Sequence, residues 1–249
     1  MNAFQTNHGV MYALPNDEAF VKSLSRGKVF EEDLVLQYIL PTITAVPGKK
    51  VVLDVGGHIG SHTLLYAKYI PDSVVYTFEP QSVLFAILKK NIQTNRLENV
   101  RLYNNAVGHE CRGCTMSKML YDGYDCDIDY NTSKNLNYGG LQLGANGEPT
   151  TMITIDSLEL PQCDYIKIDV EGAEALVLLG ASETIQKFKP IIFFEHTDKR
   201  VNEEMKTSMD ITLDIPDPVD FLVDRGYTIT NIDDNNKLAK FNPDLGVSI

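Results

Sequence analysis

Apolar residues recur along this chain in two rhythms, and the alternation of the two predicts the architecture. Five short runs are close to continuously apolar: Lys50–Val55, Val74–Phe78, Asn99–Tyr103, Tyr165–Asp169 and Pro190–His196. Runs of that kind are expected of parallel strands buried on both faces. Between them the apolar positions fall at helical spacing, over 61–70, over Ser82–Gln93 (Val83, Leu84, Ile87 and Leu88 on one side) and over Gly172–Lys187. A further helix is expected near Val219–Arg225. Tyr227–Ile232 and Leu238–Phe241 then flank the turn residues Asp233-Asp234-Asn235-Asn236 and read as a closing hairpin. Strand–helix alternation ending in a hairpin is the pattern of an α/β, Rossmann-like, doubly wound sheet of seven strands, mostly parallel with an antiparallel C-terminal hairpin.

Two segments depart from that rhythm. Residues 1–48 show helical spacing at Asp17–Leu24 and Glu31–Leu40, with Gly27 between them and Pro41 ending the second. They read as an N-terminal helical extension covering the domain of residues 49–249. From His109 to Pro149 the pattern lapses among glycines (Gly113, Gly123, Gly139-Gly140, Gly144, Gly147) and tyrosines (Tyr121, Tyr124, Tyr130, Tyr138). An insertion of this length is either a substrate-binding flap or a family-variable hairpin.

Composition narrows the function. The chain has 249 residues, with 22 Lys and Arg against 34 Asp and Glu, a net charge of −12. That balance disfavours nucleic acid as a partner, because phosphate recognition needs a basic face. No apolar run approaches the ~18–20 residues of a membrane span, and Met1–Asn16 lacks a signal-peptide core, so the expected location is cytoplasmic. Cys111 and Cys114 have knuckle spacing, but Cys126 and Cys163 form no second pair of that kind. Reduced thiols are favoured over zinc.

In a doubly wound sheet ligands bind outside the carboxyl ends of the strands. Those ends carry Asp54 and Gly56, Glu79, Asn105, Asp169 and Glu171, and Glu195 and His196. The first of them opens the turn Gly56-Gly57-His58-Ile59-Gly60, which leads into the helix holding Thr63. Aligned on Gly57 and Gly60, a dinucleotide fingerprint would want glycine where Val55 stands. The spacing Asp54-x-Gly56-x-x-x-Gly60 instead fits a turn that holds the methionine part of S-adenosylmethionine. Glu79, 25 residues after Asp54, can accept from ribose hydroxyls of either cofactor.

The ordered set Asp54-Val55-Gly56-Gly57-His58-Ile59-Gly60, Phe78-Glu79-Pro80, Asn91, Asn105-Ala106-Val107-Gly108, Thr154-Ile155-Asp156-Ser157-Leu158, Ile166-Lys167-Ile168-Asp169-Val170-Glu171-Gly172-Ala173-Glu174 and Gly180-Ala181 resembles the FkbM family of S-adenosylmethionine-dependent methyltransferases. The resemblance covers roughly residues 30–200. Where the family often has Ala-Asn, this chain has Gly57-His58. The resemblance implies S-adenosylmethionine as cofactor and an O-methyltransferase acting on a hydroxyl of a sugar, a glycan or a sugar-bearing metabolite. The cofactor set is then Asp54, Gly56, Gly57, His58, Gly60, Thr63, Glu79, Asn105 and Ala106. An NAD-dependent sugar oxidoreductase and a non-catalytic cofactor-binding module are the competing readings.

Methyl transfer to a hydroxyl needs an oxygen held behind the methyl carbon and somewhere for the proton to go. Asp169, Glu171, Glu195, His196 and Lys167 are the candidates. His196 is the natural base by residue type, while Lys167 lies on the same strand face as Asp169 and can pair with a carboxylate. Asp169, Glu195 and His196 could instead ligate Mg²⁺ or Mn²⁺. The residue pattern leaves base and metal as alternatives.

Overall fold

The computed structural model of the chain describes residues 1–70, 72–120, 138–196, 203, 205–207 and 209–245. It opens with a hairpin, β1 (Asn2–Thr6) and β2 (Gly9–Ala13), which the sequence pattern did not announce. The helices α1 (Glu18–Leu24) and α2 (Glu32–Leu34) follow. After α2 the backbone widens into a π turn over Val35–Ile39 and tightens again into α3 (Leu40–Thr44). Pro41 was expected to end this helix. It sits instead inside a helical path that runs unbroken from Glu32, directly after the π turn, where the widened backbone accommodates a residue with no N–H to donate.

The large sheet follows. Its strands are β3 (Lys50–Val55), β4 (Ser73–Phe78) and β5 (Val100–Tyr103), separated by α4 (Ser61–Tyr69) and α5 (Ser82–Thr94). Four strands from Ala106 onward form a second, smaller sheet: β6 (Ala106–Val107), β7 (Arg112–Leu120), β8 (Leu141–Gly144) and β9 (Asn146–Ile153), in the order β6-β9-β7-β8. The insertion is thus built, in its described part, as a mostly antiparallel sheet. The alternation was hidden by irregular register between Thr115 and Leu120, where Gly147 packs so closely that a Cβ would lie 1.7 Å from the Met116 carbonyl oxygen. Residues 121–137 of the expected flap lie outside the described residues.

The chain returns to the large sheet at β10 (Tyr165–Ile168) and β11 (Ile191–Glu195), then closes with α8 (Pro218–Val223), β12 (Tyr227–Asn231) and β13 (Asn236–Phe241). The strand order is β12-β13-β11-β10-β3-β4-β5, parallel from β11 to β5 and antiparallel at β13 and β12. The α/β class and the parallel-rich sheet agree with the apolar pattern. From β3 the chain first winds to one side and, from β10, to the other, so the gap between the ends of β3 and β10 is the switch point.

The single long helix expected over 172–187 is two: α6 (Glu174–Leu179) and α7 (Ser182–Phe188). Gly180 explains the break. A Cβ there would stand 1.9 Å from the Gly108 carbonyl oxygen, so the backbone must pass that loop bare. Asp156 then caps the restarted helix, accepting from Glu183 N (3.0 Å) and Thr184 N (2.8 Å). Cores form on both faces of the large sheet, one with the N-terminal elements and α4 and α5, the other with α6, α7 and α8.

Candidate active site

At the switch point two strand ends are pressed together and cross-braced. Gly56 has φ +83° and lies so close to β10 that a Cβ would reach the Asp169 carbonyl oxygen at 1.8 Å. Glycine is therefore required by both conformation and space. Lys167, buried on β10, donates from Nζ to the Gly56 carbonyl at 2.7 Å and pairs with Asp169 Oδ2 at 3.1 Å and Asp54 Oδ1 at 3.6 Å. Burial opposes its charge, yet Asp169 and Asp54 hold its pKa above the usual lysine value. Asp54 is fully buried; its Oδ2 accepts from the Thr63 hydroxyl at 2.5 Å, which fastens the first turn of α4 to β3. Asp54, Thr63, Gly57 and Gly60 therefore act beneath the turn. They shape it from below rather than line the cavity in front of it.

That cavity holds about 310 Å³. Glu79, at the end of β4, is 3% exposed within it, and its two oxygens accept from the backbone N–H of His58 and of Gln81, both at 2.9 Å. Burial pushes the Glu79 carboxyl up to about 7 against those two hydrogen bonds. Asn105 and Ala106, which follow β5, line the same space. On the β10 and β11 side, one oxygen each from Asp169, Glu171 and Glu195 lies within 4.8 Å of the others. Glu171 reaches in from a turn where it adopts φ +53°. Burial, then the charges of Asp169 and Glu174, raise the Glu195 carboxyl to about 8, and its buried Oε2 has no hydrogen-bond partner.

His196 is not brought to this cluster. Its backbone N–H donates to Asn235 O, and its Nε2 pairs at 3.1 Å with Asp217, the residue that caps α8. The three candidate ligands Asp169, Glu195 and His196 are therefore not assembled. Among the described residues the convergent acids are Asp169, Glu171 and Glu195, with the Lys167 ammonium already at one of them. Glu174 is buried at the start of α6 and accepts from Val170 and Gly172 N–H, closing the turn that carries Glu171. Cys111, Cys114 and Cys163 are free.

The N-terminal segment lines one side of the cavity. Phe20 of α1 stacks on the His58 imidazole, centroids 3.9 Å apart and 12° from parallel, and Phe30 stacks on Phe20 at 4.6 Å. Asp17 lies 3.4 Å from His58 Nε2. Burial raises the Asp17 carboxyl to about 7 and holds His58 down to about 3, so the imidazole is uncharged at neutral pH. His62 does not itself line the cavity; it pairs at 3.1 Å with Glu31, which does.

Residues 54–229 match the Methyltransferase FkbM domain. The chain belongs to the FkbM methyltransferase family. Methyltransferase 1 of Beauveria bassiana is 21% identical over 154 residues, 57% of this chain and 62% of that protein, so the chain spans under two thirds of its relative's length. Solved structures with a similar path include an FkbM methyltransferase from Methylobacillus flagellatus KT (15% identity, TM-score 0.46, 79% of this chain and 45% of that one). A precorrin-6y C5,15-methyltransferase from Geobacter metallireducens GS-15 (10%, 0.48, 85% and 89%) and an rRNA methylase from Streptococcus thermophilus (13%, 0.43, 83% and 96%) are others.

In this member of the FkbM family, several cavity residues carry little or no signal in the sequence. Phe20, Phe30 and Glu31 come from the cap, Met116, Leu141 and Leu143 from the small sheet, and Gln81 from the start of α5. Only Gln81 carried a signal, standing two residues past Glu79 on the way out of a strand. The others reach the site through tertiary packing that has no local signature.

Proposed function

We propose that this chain is an S-adenosylmethionine-dependent O-methyltransferase whose acceptor is an uncharged hydroxyl compound such as a sugar, a glycan or a sugar-bearing metabolite. Two carboxylates facing one cavity carry the reading. Glu79 is buried and fixed by two backbone N–H groups, as a carboxylate that accepts ribose hydroxyls needs to be. Glu195, across the cavity, has an unpaired buried oxygen and a pKa pushed up to about 8. The residues fit the cofactor: a glycine turn against β10, an acid at the end of β4, and a space of about 310 Å³ between them.

S-adenosylmethionine supplies a methyl group already activated on a sulfonium. The chain's own residues then have three tasks. Lys167 keeps Asp169 in place, so a fixed negative charge stands at the end of β10. Glu195, which lines the cavity, would take up the proton that the acceptor's hydroxyl gives up. A base with a pKa near the working pH suits this step better than an ordinary carboxylate. Phe20, stacked on His58, and Met116, Leu141 and Leu143 of the small sheet would give the bound groups apolar walls.

The lining also bears on the acceptor. It includes Glu31, Glu79, Asp169, Glu171 and Glu195, and among the described lining residues there is no Lys or Arg. Phosphate or carboxylate groups on an acceptor would find no cation among these residues to pair with, whereas hydroxyls find acceptors for their hydrogen bonds. The same argument disfavours nucleic acid.

Release of S-adenosylhomocysteine with paired neutral and phosphorylated sugars tests this reading. Transfer to neutral compounds is expected. Glu195→Gln should lower kcat by about 10²–10⁴-fold, the usual contribution of a general base, while S-adenosylhomocysteine affinity stays unchanged. Transfer confined to phosphorylated sugars or RNA, or full activity in Glu195→Gln, would contradict it.

A further inference from the structure

Gln81 precedes α5 in the N-cap position, yet its side chain makes no capping hydrogen bond. The residue lines the cavity beside Glu79 and is 5% exposed. The amide is tied on one side only. Nε2 donates to the Tyr138 carbonyl at 2.9 Å, and the backbone N–H of the same residue donates to Glu79 Oε1 at 2.9 Å. Tyr138 O is an acceptor, so flipping the amide would set oxygen against oxygen; the nitrogen must be the atom that faces it. Oε1 is then left buried with no hydrogen-bond partner. Buried side-chain acceptors in native proteins are with few exceptions paired, and an exception in a ligand cavity calls for a donor that the ligand brings.

We infer that Gln81 Oε1 accepts a hydrogen bond from the nucleoside part of the cofactor, from a ribose hydroxyl or the adenine amine, and that Gln81 selects for a nucleoside carrying that donor. The inference rests on the S-adenosylmethionine reading above. Position supports it: the Gln81 amide and the Glu79 carboxylate, linked by a hydrogen bond, both line one wall of the cavity. Glu79 supplies a carboxyl there and Gln81 adds an amide acceptor whose other end is held by the Tyr138 carbonyl. Sequence alone could not separate this glutamine from a solvated helix-start residue.

Calorimetric titration of S-adenosylhomocysteine tests the inference, beside its 2′-deoxy and 3′-deoxy forms and the form with inosine in place of adenosine. Each is measured against the natural chain, Gln81→Met and Gln81→Leu. Both variants keep roughly the volume and remove the acceptor together with the Nε2 bond to the Tyr138 carbonyl, so their unliganded melting is measured alongside to show that they are folded. S-adenosylhomocysteine is expected to bind about tenfold more weakly to both variants, the loss typical of one hydrogen bond. The 2′-deoxy and 3′-deoxy forms also lose a Glu79 contact on every chain, so the donor is identified by the analogue whose loss on the natural chain shrinks by about tenfold on both variants. Unchanged affinity in folded variants, or losses for all three analogues as large in the variants as in the natural chain, would overturn the assignment. If the natural chain binds no S-adenosylhomocysteine at all, the cofactor reading fails and this inference with it.

Discussion

Four carboxyl groups sit where burial pushes them toward neutrality: Asp17, Glu79 and Glu174 to about 7 and Glu195 to about 8. Each binds its proton more tightly in the folded chain than in the unfolded one. Stability from these groups is therefore fully present below about pH 4 and is lost as pH rises through 7 to 8. His58, held down to about 3, acts oppositely but only up to its unfolded value near 6.5. Between about pH 6.5 and 8 the acids act without that opposition. Denaturant unfolding of the unliganded protein should show stability falling over this window, with a slope of about 1.4 kcal/mol per pH unit for each of these acids that still holds its proton in the folded chain. A rising or flat profile would contradict the burial of these groups. Several of the residues were legible beforehand because strand ends in a doubly wound sheet collect ligand-facing side chains. Asp169, Glu79 and Glu195 were found that way. His196 shared the position but not the direction, since Asp217 draws its ring toward α8.

At the scale of elements, β2 is joined to the domain by two asparagines one helical turn apart on α5. Asn91 accepts from Tyr12 N at 2.7 Å and donates to Tyr12 O at 3.1 Å, and Asn95 does the same for Val10 at 3.2 and 2.7 Å. The helix thus presents side-chain amides as if they were the edge of a neighbouring strand. Asn91 also donates to Ile59 O at 2.8 Å, so one buried amide links the cap, α5 and the cofactor turn. Asn91→Ala strands three backbone groups and should cost about 2–4 kcal/mol, the sum expected when buried partners go unpaired. Amide exchange at Val10 and Tyr12 should accelerate well before global unfolding; protection unchanged there would remove the hairpin's dependence on Asn91. The main strands and α5 were readable from apolar rhythm, because burial on one or both faces writes itself into the sequence. The hairpin was not, since β1 is largely exposed and its partner groups are polar side chains 79 to 85 positions away. The break between α6 and α7 was likewise hidden, being fixed by a steric contact with Gly108.

Taken whole, the molecule places one acidic cavity at the switch point of a parallel-rich sheet and covers it from two directions. The family match begins at residue 54, so the cap that carries Phe20, Phe30 and Glu31 lies outside it. The small sheet lies inside the match and supplies Met116, Leu141 and Leu143. Among the described residues no helix is long and apolar enough to cross a membrane. The glycine turn with its acid 25 residues on was legible in the sequence; the walls facing it were assembled by long-range packing and were not. Everything proposed for this cavity depends on what occupies it, and calorimetric titration with S-adenosylmethionine, S-adenosylhomocysteine and NAD(H) side by side decides that most directly. Binding of both sulfur compounds is expected, weakened at least tenfold by Glu79→Ala because a buried carboxylate acceptor is lost. Binding of NAD(H) alone, or an affinity for S-adenosylmethionine that ignores Glu79, would contradict the account.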